Sequence, residues 1–347
     1  MDTFSIKLFR AVYFPGKPFC FSPQNIRRLL RDLLLGSSGI AKEQLEALLD
    51  PAAVKNEPIA RSKYLLFGSL ILAREGLHVY NEFISKSKFM FGTEFERFTD
   101  ETKAEEAVRA WLCETTYGLI EDMKINITDE TKLIMLDTLY FKANWENSFN
   151  PNLTTKTLFH KYDGSKTYVD MMNCEGFYFH EYNSYLQANI ILMNYTTREY
   201  LLLLLLPISS TGIDRVEELL TTELVDDFLS MKSMEYTDLY LYVPKFMLKE
   251  ETDFRQTLIK LGCDKIFQKG SLLGISEDTD LHLSEVKQKT TINVDEKGTE
   301  GASASATLLA GSSLTIKYRI KADKPFLGIV VCSRYRTPLF VFGFYGD

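Results

Sequence analysis

A chain of 347 residues, 45% hydrophobic and 25% charged, has enough apolar side chain to bury a large core, in one big domain or two modest ones. Its formal net charge of -7 and the absence of long basic runs argue against nucleic acid or an acidic membrane surface as the main partner. Five cysteines (Cys20, Cys113, Cys174, Cys263 and Cys332), an odd number without CxxC spacing, point to reduced thiols rather than a disulfide framework. The N-terminus shows no apolar signal core, so the expectation is a cytoplasmic protein, or a secreted one whose signal peptide has been removed. The sequons at Asn126, Asn152 and Asn194 do not decide between these.

Near the start of the chain, Phe4, Leu8 and Phe9 fall on one side of a short helix over residues 4–12. The turn FPGKP follows, then FCFSPQNIRRLLRDLLLGSSG, in which Ser22 caps a helix, Pro23 occupies its first turn, and Gly36 with Gly39 ends it. Arg27, Arg28, Arg31 and Asp32 lie on this largely apolar helix and need partners if buried, because an unpaired buried charge is expensive. Ile40 to Leu49 reads as another helix, followed by a short Pro-containing linker and the strand-like KYLLFGSLILA.

Farther along, Ala107, Val108, Trp111, Leu112 and Thr115 share one face of a helix predicted over Glu101 to Ile120. KLIMLDTLYFKANWENSF is an apolar strand of the length expected in a sheet core. Leu201 to Leu206 is too short to span a bilayer and reads as a strand buried on both faces.

The unusual stretch is Asp295 to Leu314, DEKGTEGASASATLLAGSSL. In an extended strand Thr299, Gly301, Ser303, Ser305 and Thr307 would share one small, uncharged face, with Glu300, Ala302, Ala304, Ala306 and Leu308 on the other. Two readings stand: a solvated surface loop, or a segment exposed in one state and slotted between strands in another. The four histidines, His78, His160, His180 and His282, sit in no nucleophile, zinc or phosphate-binding signature. No catalytic residue, metal or cofactor is expected.

Several of these segments together resemble the serpins. Glu296, Gly298, Thr299 and Glu300 match the hinge of the serpin reactive-centre loop, and Phe21, Ser22, Pro23 and Ile26 match an F-S-P-x-S-I helix. Trp111, Thr116 and Gly118 match a helix end, and Tyr140, Phe141, Lys142, Trp145, Glu146 and Phe149 match the strand that follows. Val169, Met171 and Met172, then Pro244, Lys245, Phe246, Leu261, Gly262 and Phe267, and finally Pro325, Phe326, Leu339, Phe340 and Gly343 complete the series in order. The resemblance implies an α+β serpin fold in one domain over 1–347. Its features would be a large central, mostly antiparallel sheet, additional sheets, eight or nine helices, and an exposed reactive-centre loop at about 296–318. A helix carrying the antithrombin-type heparin site is missing, as in short poxvirus and intracellular serpins, so heparin binding of that type is not expected.

The function implied is irreversible inhibition of a protease by a covalent acyl-enzyme complex. The cut loop would insert into the sheet from its hinge, Glu296, Gly298, Thr299, Glu300, Gly301, Ala302, Ser303, Ala304 and Ser305. Trp145 would lie at the top of the sheet, with Ser22, Asn25, Asp137 and Gln288 at its opening point; Asn25, Asp137 and Gln288 depart from the usual Ser, Asn and His. Counting from Glu296 places the cleaved bond at Ser312-Ser313 and favours an elastase-like protease. Counting back from Pro325 places it at Leu314-Thr315 and favours a chymotrypsin-like one. The alternatives are a non-inhibitory carrier, chaperone or binding protein of the same fold, and an inhibitor of a cysteine protease. The expected state is a monomer, with loop-exchange polymers as a hazard.

Overall fold

A computed structural model describes residues 1–49, 61–298 and 317–346. The chain opens with α1 (Thr3–Val12), β1 (Phe19–Phe21), α2 (Pro23–Gly36) and α3 (Gly39–Leu49). Ser22 caps α2 as its sequence predicts, its Oγ accepting from the Asn25 N–H at 3.2 Å, with Pro23 supplying the preset first turn. Next come β2 (Leu65–Arg74), α4 (Asn81–Phe91), β3 (Glu94–Phe98), α5 (Glu101–Thr116) and β4 (Leu133–Phe141). α5 stops four residues short of the Ile120 that periodicity suggests. Tyr117 and Gly118 take positive φ of 53° and 74°, and the Thr116 hydroxyl accepts from the Ile120 N–H at 3.0 Å, so the backbone turns out of the helix.

The middle of the chain is β5 (Thr155–His160), β6 (Lys166–Asn183), β7 (Ala188–Asn194), β8 (Tyr200–Pro207), α6 (Gly212–Leu219) and α7 (Thr222–Ser230). It ends in β9 (Glu235–Pro244), β10 (Phe246–Asp253), α8 (Arg255–Lys260), β11 (Glu285–Val294), β12 (Tyr318–Lys321), β13 (Phe326–Cys332) and β14 (Thr337–Phe344). β8 holds the leucine run, and every residue in it is buried, as a strand covered on both faces requires.

Two sheets result. The larger runs β1-β14-β13-β8-β7-β6-β9-β12, with β5 also on β6, and is antiparallel except where β12 lies along β9. The smaller runs β10-β11-β4-β2-β3 and is mixed: β11 with β4 and β2 with β3 are parallel, the other pairings antiparallel. Three apolar clusters hold them. One, with Phe141, Phe246, Phe326, Phe340, Phe342 and Phe344, lies between the sheets. A second joins the helices on the other side of the larger sheet, and a third, around Trp111 and Leu112, seats α5 on the outer face of the smaller sheet.

The inter-sheet cluster leaves no slack at Gly328. It stands opposite Phe342, whose ring occupies the space a Cβ would need. Gly328→Val is expected to destabilise the protein by about 1–3 kcal/mol through overpacking, read as a lower urea midpoint at unchanged slope.

Candidate functional site

Two neighbouring strands of the smaller sheet, β4 and β11, run parallel and paired from Ile134↔Glu285 to Phe141↔Ile292. Their inward-facing residues alternate with the period of two that strands impose. On β4, Leu133 and Met135 belong to the helix-side core, and Leu139 and Phe141 to the inter-sheet core; Asp137 falls between them. On β11, Val286 precedes and Ile292 follows Gln288, and on β2, Phe67 precedes and Ile71 follows Ser69. Register puts Ser69 opposite Asp137 and Asp137 opposite Gln288, so one polar row crosses three strands where two apolar cores meet.

That row is closed by hydrogen bonds. Asp137, fully buried at 0% exposure, accepts at Oδ1 from Gln288 Nε2 (2.9 Å) and Asn25 Nδ2 (3.0 Å), and at Oδ2 from Ser69 Oγ (3.0 Å). The Arg28 guanidinium lies 3.4 Å from Oδ2, donates to Ser69 Oγ at 2.9 Å, and stacks over the Phe67 ring at 4.5 Å. Gln288 turns its other side to the backbone of Ser22, accepting from its N–H at 2.7 Å. Burial pushes the Asp137 carboxyl above the ordinary aspartate value. Arg28, then Gln288, Asn25 and Ser69, pull it back, and since all of them donate they match the ionised form.

At the end of β11 the chain is tied down. Trp145, buried and stacked on Tyr195 with ring centroids 4.4 Å apart, donates its indole N–H to the Asp295 carbonyl (2.9 Å) and its backbone N–H to Lys297 (3.2 Å). The Phe149 N–H donates to the Glu296 carbonyl at 2.8 Å. The Glu296 side chain accepts from Lys245 Nζ (2.8 Å) and Thr154 Oγ1 (2.9 Å). Gly298 has φ +79°, and a Cβ there would overlap the backbone of Ala143 to Trp145. This position requires glycine on both counts.

The structure thus brings Ser22, Asn25, Asp137 and Gln288 together in one network and places Trp145, Glu296 and Gly298 together at the strand exit. Thr299, Glu300, Gly301, Ala302, Ser303, Ala304 and Ser305, and the bonds Ser312-Ser313 and Leu314-Thr315, lie outside the described residues. Arg28, Ser69, Lys245 and Thr154 complete the site without having been assigned to it from sequence. A serine at the inward parity of LLFGSLILA was the available sign for Ser69. Of the other charges on α2, Arg27 pairs with Asp2 and lies over the Phe4 ring, while Asp32 is buried with neither carboxylate oxygen hydrogen-bonded, and burial pushes its carboxyl up.

A parallel seam crossed by a buried polar row, in a five-stranded mixed sheet packed on a larger, mostly antiparallel one, defines an α+β protein of two packed sheets. A family model described as Serpin (serine protease inhibitor) matches residues 1–344, and the chain belongs to the serpin family. It is 30% identical to a serpin-like protein of Fowlpox virus (strain NVSL) over 98% of this chain and 99% of that one. It is 27% identical to a leukocyte elastase inhibitor of Sus scrofa, covering 93% and 92% respectively. Among solved structures, a tumour suppressing serpin matches with a TM-score of 0.86 at 23% identity, over 99% of this chain and 97% of that one. Human thyroxine-binding globulin, solved in complex with thyroxine, matches at 0.85 and 22%, over 98% and 95%.

The Glu296 tie is pH-dependent. Burial pushes its carboxyl up, but Lys245, a backbone N–H and Thr154 outweigh this and hold it below the ordinary value of 4.5. A depressed carboxyl contributes stability above its unfolded pKa and loses it as pH falls through the folded one. Glu296→Gln is therefore expected to melt below the parent at pH 7, by about 1–3 kcal/mol. The gap should close as the pH is lowered from about 4.5, in paired thermal melts.

Proposed function

We propose that this serpin is an inhibitor that acts once, as a suicide substrate of a serine protease. The observation that carries the reading is the closed β4–β11 seam with its hinge fastened at one end, followed in sequence by the small, uncharged run Thr299 to Thr307. After attack the protease is held as an acyl-enzyme, and the freed strand enters between β4 and β11. About 15 residues at about 3.3 Å each give a strand near 50 Å, long enough to carry the protease along the sheet. The driving force is the strand pairing and burial that the closed state withholds. Ser312-Ser313 is the proposed bond and an elastase-like protease the proposed target, in keeping with the similarity to a leukocyte elastase inhibitor; Leu314-Thr315 is the second register. A reducing, cytoplasmic setting suits the five free thiols, and the chain is taken to act as a one-domain monomer.

A carrier role is favoured by a separate feature. A cavity of about 590 Å³ lies beside Trp145, lined among others by Phe177, Leu229, Met231, Tyr236, Arg198 and Arg336. Its size suits a small organic ligand.

The purified protein mixed with neutrophil-type elastase is expected to give a covalent adduct that survives denaturing electrophoresis, with Ser312→Arg shifting adduct formation to trypsin. The nicked protein should melt well above the intact one. Clean cleavage without adduct or gain in melting temperature favours the carrier, and adduct with a papain-like protease alone favours cysteine-protease inhibition.

A further inference from the structure

Strand insertion cuts the Ser69, Asp137, Gln288 row at one place. Neighbouring strands lie about 4.8 Å apart, so a strand seated between β4 and β11 must pull Gln288 Nε2 away from Asp137 Oδ1. Gln288 retains the Ser22 backbone, to which it donates at 3.4 Å as well as accepting at 2.7 Å. Asp137 is left with a buried carboxylate that has lost a donor. Its second oxygen is held from the other side, by Ser69 on β2, which remains paired with β4, and by Arg28, which reaches both.

We infer that Arg28 is the positioning residue of the sheet-opening step: it keeps the Asp137 carboxylate matched by positive charge while β4 and β11 part, so that the seam opens through a charged centre. The inference rests on the strand-insertion reading above. The guanidinium suits the task because its Nη2 donates to Ser69 and lies 3.4 Å from Asp137 Oδ2 while its flat face lies on Phe67. An ammonium offers a point charge and no stacking face. Without Arg28 the closed seam still gives Asp137 three neutral donors, but the open seam strips one of them from an uncompensated charge. The penalty therefore falls more heavily on opening than on the closed state.

The test is the rate at which intact protein takes up a synthetic peptide of residues 299–311 as an added strand, followed by native gel and by the rise in melting temperature. Arg28→Met is expected to slow uptake about tenfold or more, with Arg28→Lys in between. Adding Asp137→Asn to Arg28→Met should bring the rate back to within about threefold of the parent, since the charge that needed a partner is gone. A purely structural Arg28 would lower the melting temperature and leave uptake unchanged, which overturns the inference. If Arg28→Met does not fold, the lysine and double variants decide: uptake by Arg28→Lys equal to the parent overturns it, while slowed uptake restored by Asp137→Asn supports it. A parent that takes up no peptide overturns strand insertion itself, and this inference with it. A parent that takes it up as fast as Arg28→Met does overturns the inference alone.

Discussion

The interaction on which this molecule depends is a parallel pairing between strands about 150 positions apart in the chain, β4 and β11, that carries a buried polar row between two apolar cores. A seam filled only with apolar residues would be welded by its packing on both faces. One lined with unpaired polar groups would not close. The chain sets the Ser69, Asp137, Gln288 row at the junction of two cores, with Thr290 next to it donating to the Cys20 carbonyl at 2.9 Å, and leaves Leu139, Phe141, Ile292 and Val294 above and Leu133, Met135 and Val286 below.

The same arrangement explains why the helix beneath the sheet carries charge. α2 is otherwise a conventional buried element: Ile26, Leu29, Leu30 and Leu33 are fully buried, and its N-cap is satisfied. Asn25 and Arg28, three apart, fall on the same helical face, and that face meets the sheet at the polar row. The aspartate in the sheet and the arginine in the helix are each costly to bury, and each is tolerable because of the other. At the hinge the division is different: Trp145, Lys245 and Thr154 hold backbone and side chain of residues 295–297 at the rim, where Lys245 remains half exposed.

Much of this was legible in the residues. Periodicity and punctuation located α1, α2 and α3, the buried β8, and β4 on one side of the seam, because those elements follow local rules of capping and alternation. The ordered motifs pointed to the residues that the structure gathers at the exit of β11 and in the polar row. What local rules could not supply was pairing across distance. Arg28 read as a charge in need of a partner, and its partner is 109 positions away, on a strand whose neighbour Ser69 is itself only one small polar residue in an apolar run. The end of α5 was missed for a local reason: the apolar pattern continues to Ile120, while Tyr117 and Gly118 turn the backbone out of helical space. The segment on which the inhibitory reading turns, from Thr299 onward, is read from sequence.

The order of the larger sheet bears on how the molecule is made. β1 is complete by residue 21, yet its partner is β14, with Phe19 opposite Gly343 and Phe21 opposite Val341, and β14 in turn joins it to β13 and β8. In synthesis β13 and β14 are made after the leucines of β8 and the apolar side of α2, so completion of the sheet waits for them, and until then the nascent chain presents an open edge and an apolar surface of the kind that cellular folding factors shield.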